Sequence, residues 1–165
     1  TTKYFDDIIK TFKKFPDIVV KSQIEQIDYL KKIGKKKEAE KLLEVSRKRV
    51  DKNRDDLERT LSMKIVRDLL NANKPVEARK EMESTLKKQR TLDAKVFNFV
   101  EEYLDITRET KQTKEAARFI PTLMKPMCPR VVTHYRYHAA RLMAEAYTNN
   151  QESKKAELII KRYIK

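Results

Sequence analysis

The chain has no tryptophan, one glycine, one cysteine and five prolines in 165 residues. Each scarcity excludes something. With a single glycine, tight β-hairpins are disfavoured, because their turns need residues at positive φ. Glycine-rich loops that cradle phosphates are excluded for the same reason. A lone cysteine, Cys128, allows no intrachain disulfide, which favours a reducing compartment such as the cytoplasm. No apolar run reaches membrane-spanning length. The opening, TTKYFDD, shows no signal peptide and no initiating Met, the mark of a processed chain or an excised fragment.

What is abundant points one way. Charged residues make up 39 % of the chain, and Lys, Glu, Arg, Ala and Leu are all good helix formers. An all-α protein is expected. The formal net charge is +14, which attracts nucleic acid, anionic membranes or acidic proteins without choosing among them. Lysine outnumbers arginine by 26 to 13. Phosphate and base readout lean on arginine, so this excess fits a solvated face at least as well.

The chain also resembles itself. GKKKEAEKLL (34–43), NKPVEARKEM (73–82), KQTKEAARFI (111–120) and QESKKAELII (151–160) align on Ala39, Ala78, Ala116 and Ala156. The alanines are 39, 38 and 40 residues apart. A large apolar residue follows each by four positions, one helical turn on the same face: Leu43, Met82, Ile120 and Ile160. A second apolar-periodic segment precedes each turn: Ile24, Ile27 and Leu30; Leu61, Ile65, Val66 and Leu69; Val96, Phe97, Val100, Tyr103 and Leu104; Tyr137, Ala140, Met143, Ala144 and Tyr147. The repeating unit is therefore helix A, short turn, helix B, spanning 17–53, 54–91, 92–130 and 131–165.

Residues 1–16 read as an orphan helix B, with Phe5, Ile8, Ile9, Phe12 and Phe15 on one face and Pro16 at its end. An apolar terminal helix is not a polar cap, so the array is expected to continue upstream, in a larger protein. Asp17 is the expected cap of the first helix A. Gly34 suits the left-handed position that ends that helix. Asn73 with Pro75 reads as a cap followed by proline in the first turn. Pro121, five residues past Ala116, predicts a kink or early stop, with Pro126 and Pro129 linking to the fourth repeat.

This pattern resembles the tetratricopeptide-repeat family through Gly34, Ala39 and Leu43 in the first repeat and Pro16 at the close of the orphan helix. The steps are longer than that family's, and Asn73, Lys111 and Gln151 stand where its glycine would be. The resemblance implies an α-solenoid, a right-handed superhelical array of antiparallel helix pairs in one domain over 1–165. It also implies that the A helices line a concave groove. Carried onto this chain, the groove positions are Lys21, Ile24, Asp28, Lys31 and Lys32; Thr60, Met63, Arg67, Leu70 and Asn71; Asn98, Glu101, Asp105, Arg108 and Glu109; and His138, Arg141, Glu145, Thr148 and Asn149. Their formal charges sum to +2, +1, −2 and zero by repeat, a groove graded from basic to acidic. The Lys-and-Asn set with which some family members clamp a terminal carboxylate is missing.

The positive excess must then sit on B helices and turns. Lys35, Lys36, Lys37, Lys41, Arg47, Lys48, Arg49 and Lys52 fall there, as do Arg79, Lys80, Lys87, Lys88 and Arg90. A basic convex face is a solvated face or a surface for nucleic acid, lipid or an acidic subunit.

No pattern supports catalysis. HYRYH sets His134 and His138 one turn apart, with Cys128 six residues upstream, but a single thiol and no Glu beside the first His make a poor metal site. They read as aromatic packing and groove lining. Cys128, between Met127 and Pro129, reads as a small apolar filler. Glu101–Glu102 and Asp55–Asp56 are adjacent and do not converge on a helix. No nucleophile triad or dinucleotide fingerprint occurs. Phe97, Tyr135, Tyr137 and Tyr147 could stack bases but at helical spacing read as core. The expectation is a non-enzymatic scaffold without metal or cofactor, binding a peptide or partner protein in its groove. The alternatives are a nucleic-acid-binding α-solenoid using the basic B-helix face, and an accessory domain of a multidomain enzyme.

Overall fold

The computed structural model describes residues 2–50, 55–89 and 92–164, without the side chains of Thr2, Arg49 and Asp55. The expected repeat boundaries at 53/54 and 91 lie outside the described residues. Among those residues every regular element is helical. The helices are α1 (Thr2–Thr11), α2 (Pro16–Lys32), α3 (Lys36–Arg49), α4 (Asp55–Asn71), α5 (Pro75–Lys87), α6 (Ala94–Glu109), α7 (Thr113–Met124), α8 (Thr133–Asn149) and α9 (Ser153–Tyr163), with a 3-10 turn at Cys128–Arg130.

The turn between helices is the same object four times. Gly34, Asn73, Lys111 and Gln151 have φ of +80°, +56°, +58° and +61°. Each N–H bonds to the carbonyl three residues back: Lys31, Leu70, Arg108 and Thr148, at 2.9–3.2 Å. The next N–H reaches back five, to Leu30, Leu69, Thr107 and Tyr147, at 2.7–2.9 Å. This is the Schellman pairing, which satisfies the orphan carbonyls of a helix end and requires a left-handed residue. The landmark alanine follows five positions later. Ala39 and Ala78 are 0 % exposed, Ala116 1 % and Ala156 8 %. A methyl side chain there lets two helix backbones approach closely.

Three cap assignments change. Asn73 is the left-handed residue closing α4, the counterpart of Gly34; the residue preceding α5 is Lys74. Asp17 caps nothing, because Pro16 takes the first helical position of α2 after Phe15. A proline suits that place, where its missing N–H is an orphan anyway. Pro16 thus opens a helix; α1 ends at Thr11, and Phe12 and Phe15 lie beyond it, edge to face at 6.4 Å. Asp93 does cap a helix: its Oδ1 accepts from the Val96 N–H of α6 at 2.9 Å, worth about 1 kcal/mol.

The chain forms two compact units, Thr1–Ile65 and Val66–Lys165. In the first, α2 packs on both α1 and α3. Its core gathers Ile27, Leu30 and Ala39, with Leu42 and Leu43 against them. In the second, each helix from α5 to α8 packs on the next. In addition α6 lies on α8 and α5 on α7, which sorts A helices and B helices into two rows. Phe97, Val100, Tyr103 and Leu104 of α6 are each at most 1 % exposed. Met82 and Ile120, a turn past their alanines, are fully buried, about 1.5–3 kcal/mol of apolar burial apiece.

The packing departs from the expected pattern in three places. Ile160 is 36 % exposed, and Ile159, at 5 %, is the inward residue of α9. Tyr137 is 38 % exposed, whereas Ala139, Leu142 and Ala146 are fully buried. Helix α8 touches α6, α7 and α9, so it is buried on several sides and its periodicity is blurred. Finally, α7 does not stop at the buried Pro121 but runs on to Met124; Pro126 and Pro129 lie in the turns that follow.

Candidate functional site

The A-helix row of the second unit carries a polar network at its surface. Glu101 of α6 and His138, Arg141 and Glu145 of α8 meet there. Glu101 Oε1 accepts from Arg141 Nη2 and lies 3.3 Å from His138 Nε2. Arg141 Nη2 lies 3.0 Å from His138 Nε2, and its Nη1 lies 3.5 Å from Glu145 Oε2. At Nε2 the two neighbours compete: the nitrogen donates to Glu101 when it carries a proton and accepts from Arg141 when it does not. The imidazole is fixed from below by Phe97, stacked at 4.5 Å with 4° between the planes. Tyr135 meets the same Phe97 edge to face at 5.5 Å. Glu101 is one turn past Phe97 on α6, which is why the stacked ring delivers His138 to that carboxylate.

Four of the sequence-derived groove residues are thus brought together. Asp105 and Arg108 pair with each other along α6 at 2.6 Å, both half-exposed. Asn98 is exposed on the same helix. In the first unit, Asp28 pairs with Lys64 at 2.5 Å across α2 and α4. Lys64 was not among the groove positions, although its 36-residue offset from Asp28 nearly matches the repeat. Lys21 and Lys32 are exposed and Lys31 is half-buried on α2; Arg67 and Asn71 are exposed on α4.

The residues assigned to a basic face separate. Lys35 bonds Glu38 at 2.8 Å and Lys48 bonds Glu44 at 2.8 Å, so α3 answers part of its own charge. Glu44 is held below the usual carboxylate range by its hydrogen bond and charge pairing with Lys48. Lys36, Lys37, Lys41, Arg47 and Lys88 are exposed. Lys87 lies 5.7 Å over the Phe119 ring. Arg90 and Lys52 lie outside the described residues, as does the Arg49 side chain.

Arg79 is not on that face at all. Its Nη1 bonds Glu83 at 2.5 Å with both side chains 14 % exposed, and its Nε donates to Gln112 Oε1 at 2.8 Å. Tyr103 donates to Glu83 at 2.9 Å, and Gln112 Nε2 donates to the Pro75 carbonyl at 3.1 Å. This polar knot ties α5, α6 and the turn before α7 together. Burial and the Glu83 carboxylate push the Tyr103 phenol far above its usual range. Only the covering of Arg79 by its neighbours distinguishes it from a surface arginine, and that is a tertiary effect.

His134 and His138 diverge. His134 is exposed beside Tyr135, while His138 is committed to Phe97 and Glu101. Cys128 is fully buried, and burial pushes its thiol up against a partial pull from Arg136. Among the described residues no group of three or more His, Cys, Asp or Glu could hold a metal ion. Nor is any helix there long and apolar enough to cross a membrane. Comparison of the chain with protein-family models, with curated proteins and with solved structures found no match.

Proposed function

We propose that the chain is a non-catalytic, tetratricopeptide-like helical repeat that binds a protein segment across its A helices. The observation that supports this most is the α6–α8 surface, where Glu101, His138, Arg141 and Glu145 form one network 37 to 44 residues apart in sequence. Repeat scaffolds recognise partners in this way, with successive helices each contributing side chains to one continuous surface. The four-fold recurrence of the Schellman turn supports the repeat reading independently.

The surface chemistry narrows the partner. Glu101, Asp105 and Glu145 supply three carboxylates against the two guanidinium groups of Arg108 and Arg141. A segment carrying basic residues complements that balance, and salt-linked side chains that can exchange partners favour register over raw affinity. A photo-crosslinking residue placed at exposed Asn98 of α6 is expected to capture a partner, and the same residue at exposed Lys80 of α5 is not. An array of basic peptides is expected to bind, and Glu101→Arg with Arg141→Glu to alter which peptides are retained. Capture from Lys80 alone, or an empty array beside catalytic turnover in a substrate screen, would overturn the proposal.

A further inference from the structure

A second surface of the Val66–Lys165 unit has a different chemistry. Between α7 and the α8–α9 turn lies an open cleft of about 410 Å³. Lys114, Arg118, Lys125 and Lys155 surround it, with Tyr147 and Pro121 on its walls. Its one carboxylate, Glu152, is already engaged: Lys155 Nζ lies 2.6 Å from Oε2, and Asn150 Nδ2 donates to Oε1 at 2.9 Å. Lys155 also reaches over the Tyr147 ring, 5.7 Å from its centroid. The other carboxylate of α7, Glu115, is half-buried and acts electrostatically on Arg79. Lys114, Arg118 and Lys125 are exposed and make no ion pair within 4 Å among the described residues, although Arg118 acts electrostatically on Glu152.

We propose that this cleft binds the phosphodiester backbone of a single-stranded nucleic acid, with Lys114, Arg118 and Lys125 on phosphates spaced along one strand and Tyr147 as a stacking face for a base. The three cations stand four and seven residues apart along one side of α7 and its C-cap, Lys125. At 1.5 Å per residue they cover about 16 Å. A stacked strand places one phosphate per 3.4 Å, so that length meets roughly four or five phosphates in a row. A compact anion would use one or two of these cations; a strand uses all three. The half-buried Tyr147 ring decides between polyanions, because an acidic peptide gains little from an aromatic plane and an unpaired base gains a stacking partner. Buried Ala117 and Pro121 add an uncharged stretch to the lining between the cations and Tyr147, one face of whose ring carries Lys155.

The test is fluorescence anisotropy with a labelled 12-residue oligouridine RNA from 50 to 200 mM salt. Four proteins are compared: the wild type, Lys114→Gln/Arg118→Gln/Lys125→Gln, the charge-matched Lys35→Gln/Lys36→Gln/Lys37→Gln, and Tyr147→Leu. The cleft variant is expected to bind about 30-fold more weakly and to lose about two units of salt slope. The matched variant should lose under about 3-fold, since its lysines lie on another helix. Tyr147→Leu should cost about 5-fold or more through lost stacking. All three replaced cations are exposed, so far-UV circular dichroism should be unchanged; if the triple variant does unfold, Arg118→Gln alone carries the comparison. Equal losses in the two triple variants, no RNA binding by the wild type, or displacement of RNA by polyglutamate at equal charge would each overturn the proposal.

Discussion

The repeated left-handed residue makes a quantitative test of the fold. Gly34 sits at φ +80° and a Cβ built there meets nothing within 4 Å. Gly34→Ala therefore adds no clash, and its cost is backbone strain alone, about 1–2 kcal/mol for an L-residue in the left-handed region. Alanine also narrows the unfolded ensemble, which returns about 0.4–1 kcal/mol. The net loss is about 0–1.6 kcal/mol, centred on about 0.8. The reverse change should stabilise. Lys111 holds φ +58° with an exposed side chain, so Lys111→Gly releases the strain and repays the glycine entropy, for a net gain centred on about 0.8 kcal/mol, roughly 0.5–1 over the middle of those ranges. Lys111→Ala keeps the strain and should be neutral within about 0.5 kcal/mol. With a urea m-value of about 2 kcal/mol/M, the glycine variant moves the midpoint up by roughly 0.25–0.5 M at constant slope. Should the two compact units unfold separately, Gly34→Ala should move only the transition of residues 1–65, and Lys111→Gly only that of residues 66–165. If Lys111→Ala stabilised as much as Lys111→Gly, the effect would belong to the lysine side chain and the strain argument would be refuted.

Other outcomes follow from single sites. Tyr103→Phe removes the bond to Glu83 and should cost about 1–2 kcal/mol in urea unfolding. It should also flatten the alkaline limb of stability. The unfolded phenol loses its proton near pH 10 while the folded one keeps it, so the unfolded state binds fewer protons and stability falls as pH rises above about 10; urea midpoints between pH 8 and 11 measure the difference. Cys128 should react with Ellman's reagent at least about 100-fold more slowly in the native protein than in urea, since it is buried and its thiolate disfavoured; fast native labelling would contradict the packing. Replacing Lys35, Lys36 and Lys37 together by Gln should leave stability within about 0.5 kcal/mol, because the Lys35–Glu38 bridge is half-exposed and lysines at a helix start oppose its dipole. Loss of partner capture in that variant would move the binding surface away from the A helices.

The helix pairs were legible because alanine has few reasons to recur at a fixed step except close helix crossing. Ala39, Ala78, Ala116 and Ala156 follow the four turns, and all four are buried. The turn was legible only at Gly34. Asn73, Lys111 and Gln151 adopt the same φ at a strain cost that composition does not reveal. Pro16 was read as a stop and is a start; proline ends one helix and opens the next with equal ease, and only the position of Thr11 as the last residue of α1 decides. Ile160 was assigned inward by analogy with Leu43, Met82 and Ile120. Met82 and Ile120 lie on helices that pack on the next one, Leu43 is partly buried against Ile27, Leu30 and Ala39, and among the described residues no helix follows α9.

Charge was the hardest signal to read, because sequence density and spatial density differ. The run Lys35–Lys37 is dense in sequence, yet Glu38, Glu40 and Glu44 stand among the cations of α3, where Lys35 pairs with Glu38 and Lys48 with Glu44. Arg79 looked like part of the same basic surface and is folded into a polar knot with Glu83 and Gln112. Lys114, Arg118 and Lys125 are sparse in sequence, separated by four and seven residues. On a helix those intervals superimpose, so a sparse series becomes a continuous stripe. The carboxylate nearest to it, Glu152, pairs with Lys155 and Asn150 and feels Arg118 only through its charge. The excess of +14 therefore says little about binding by itself. What distinguishes a binding surface from a solvated one is whether cations converge on a shaped cleft with their own counter-charges spent, and on this chain α7 meets that condition where α3 does not.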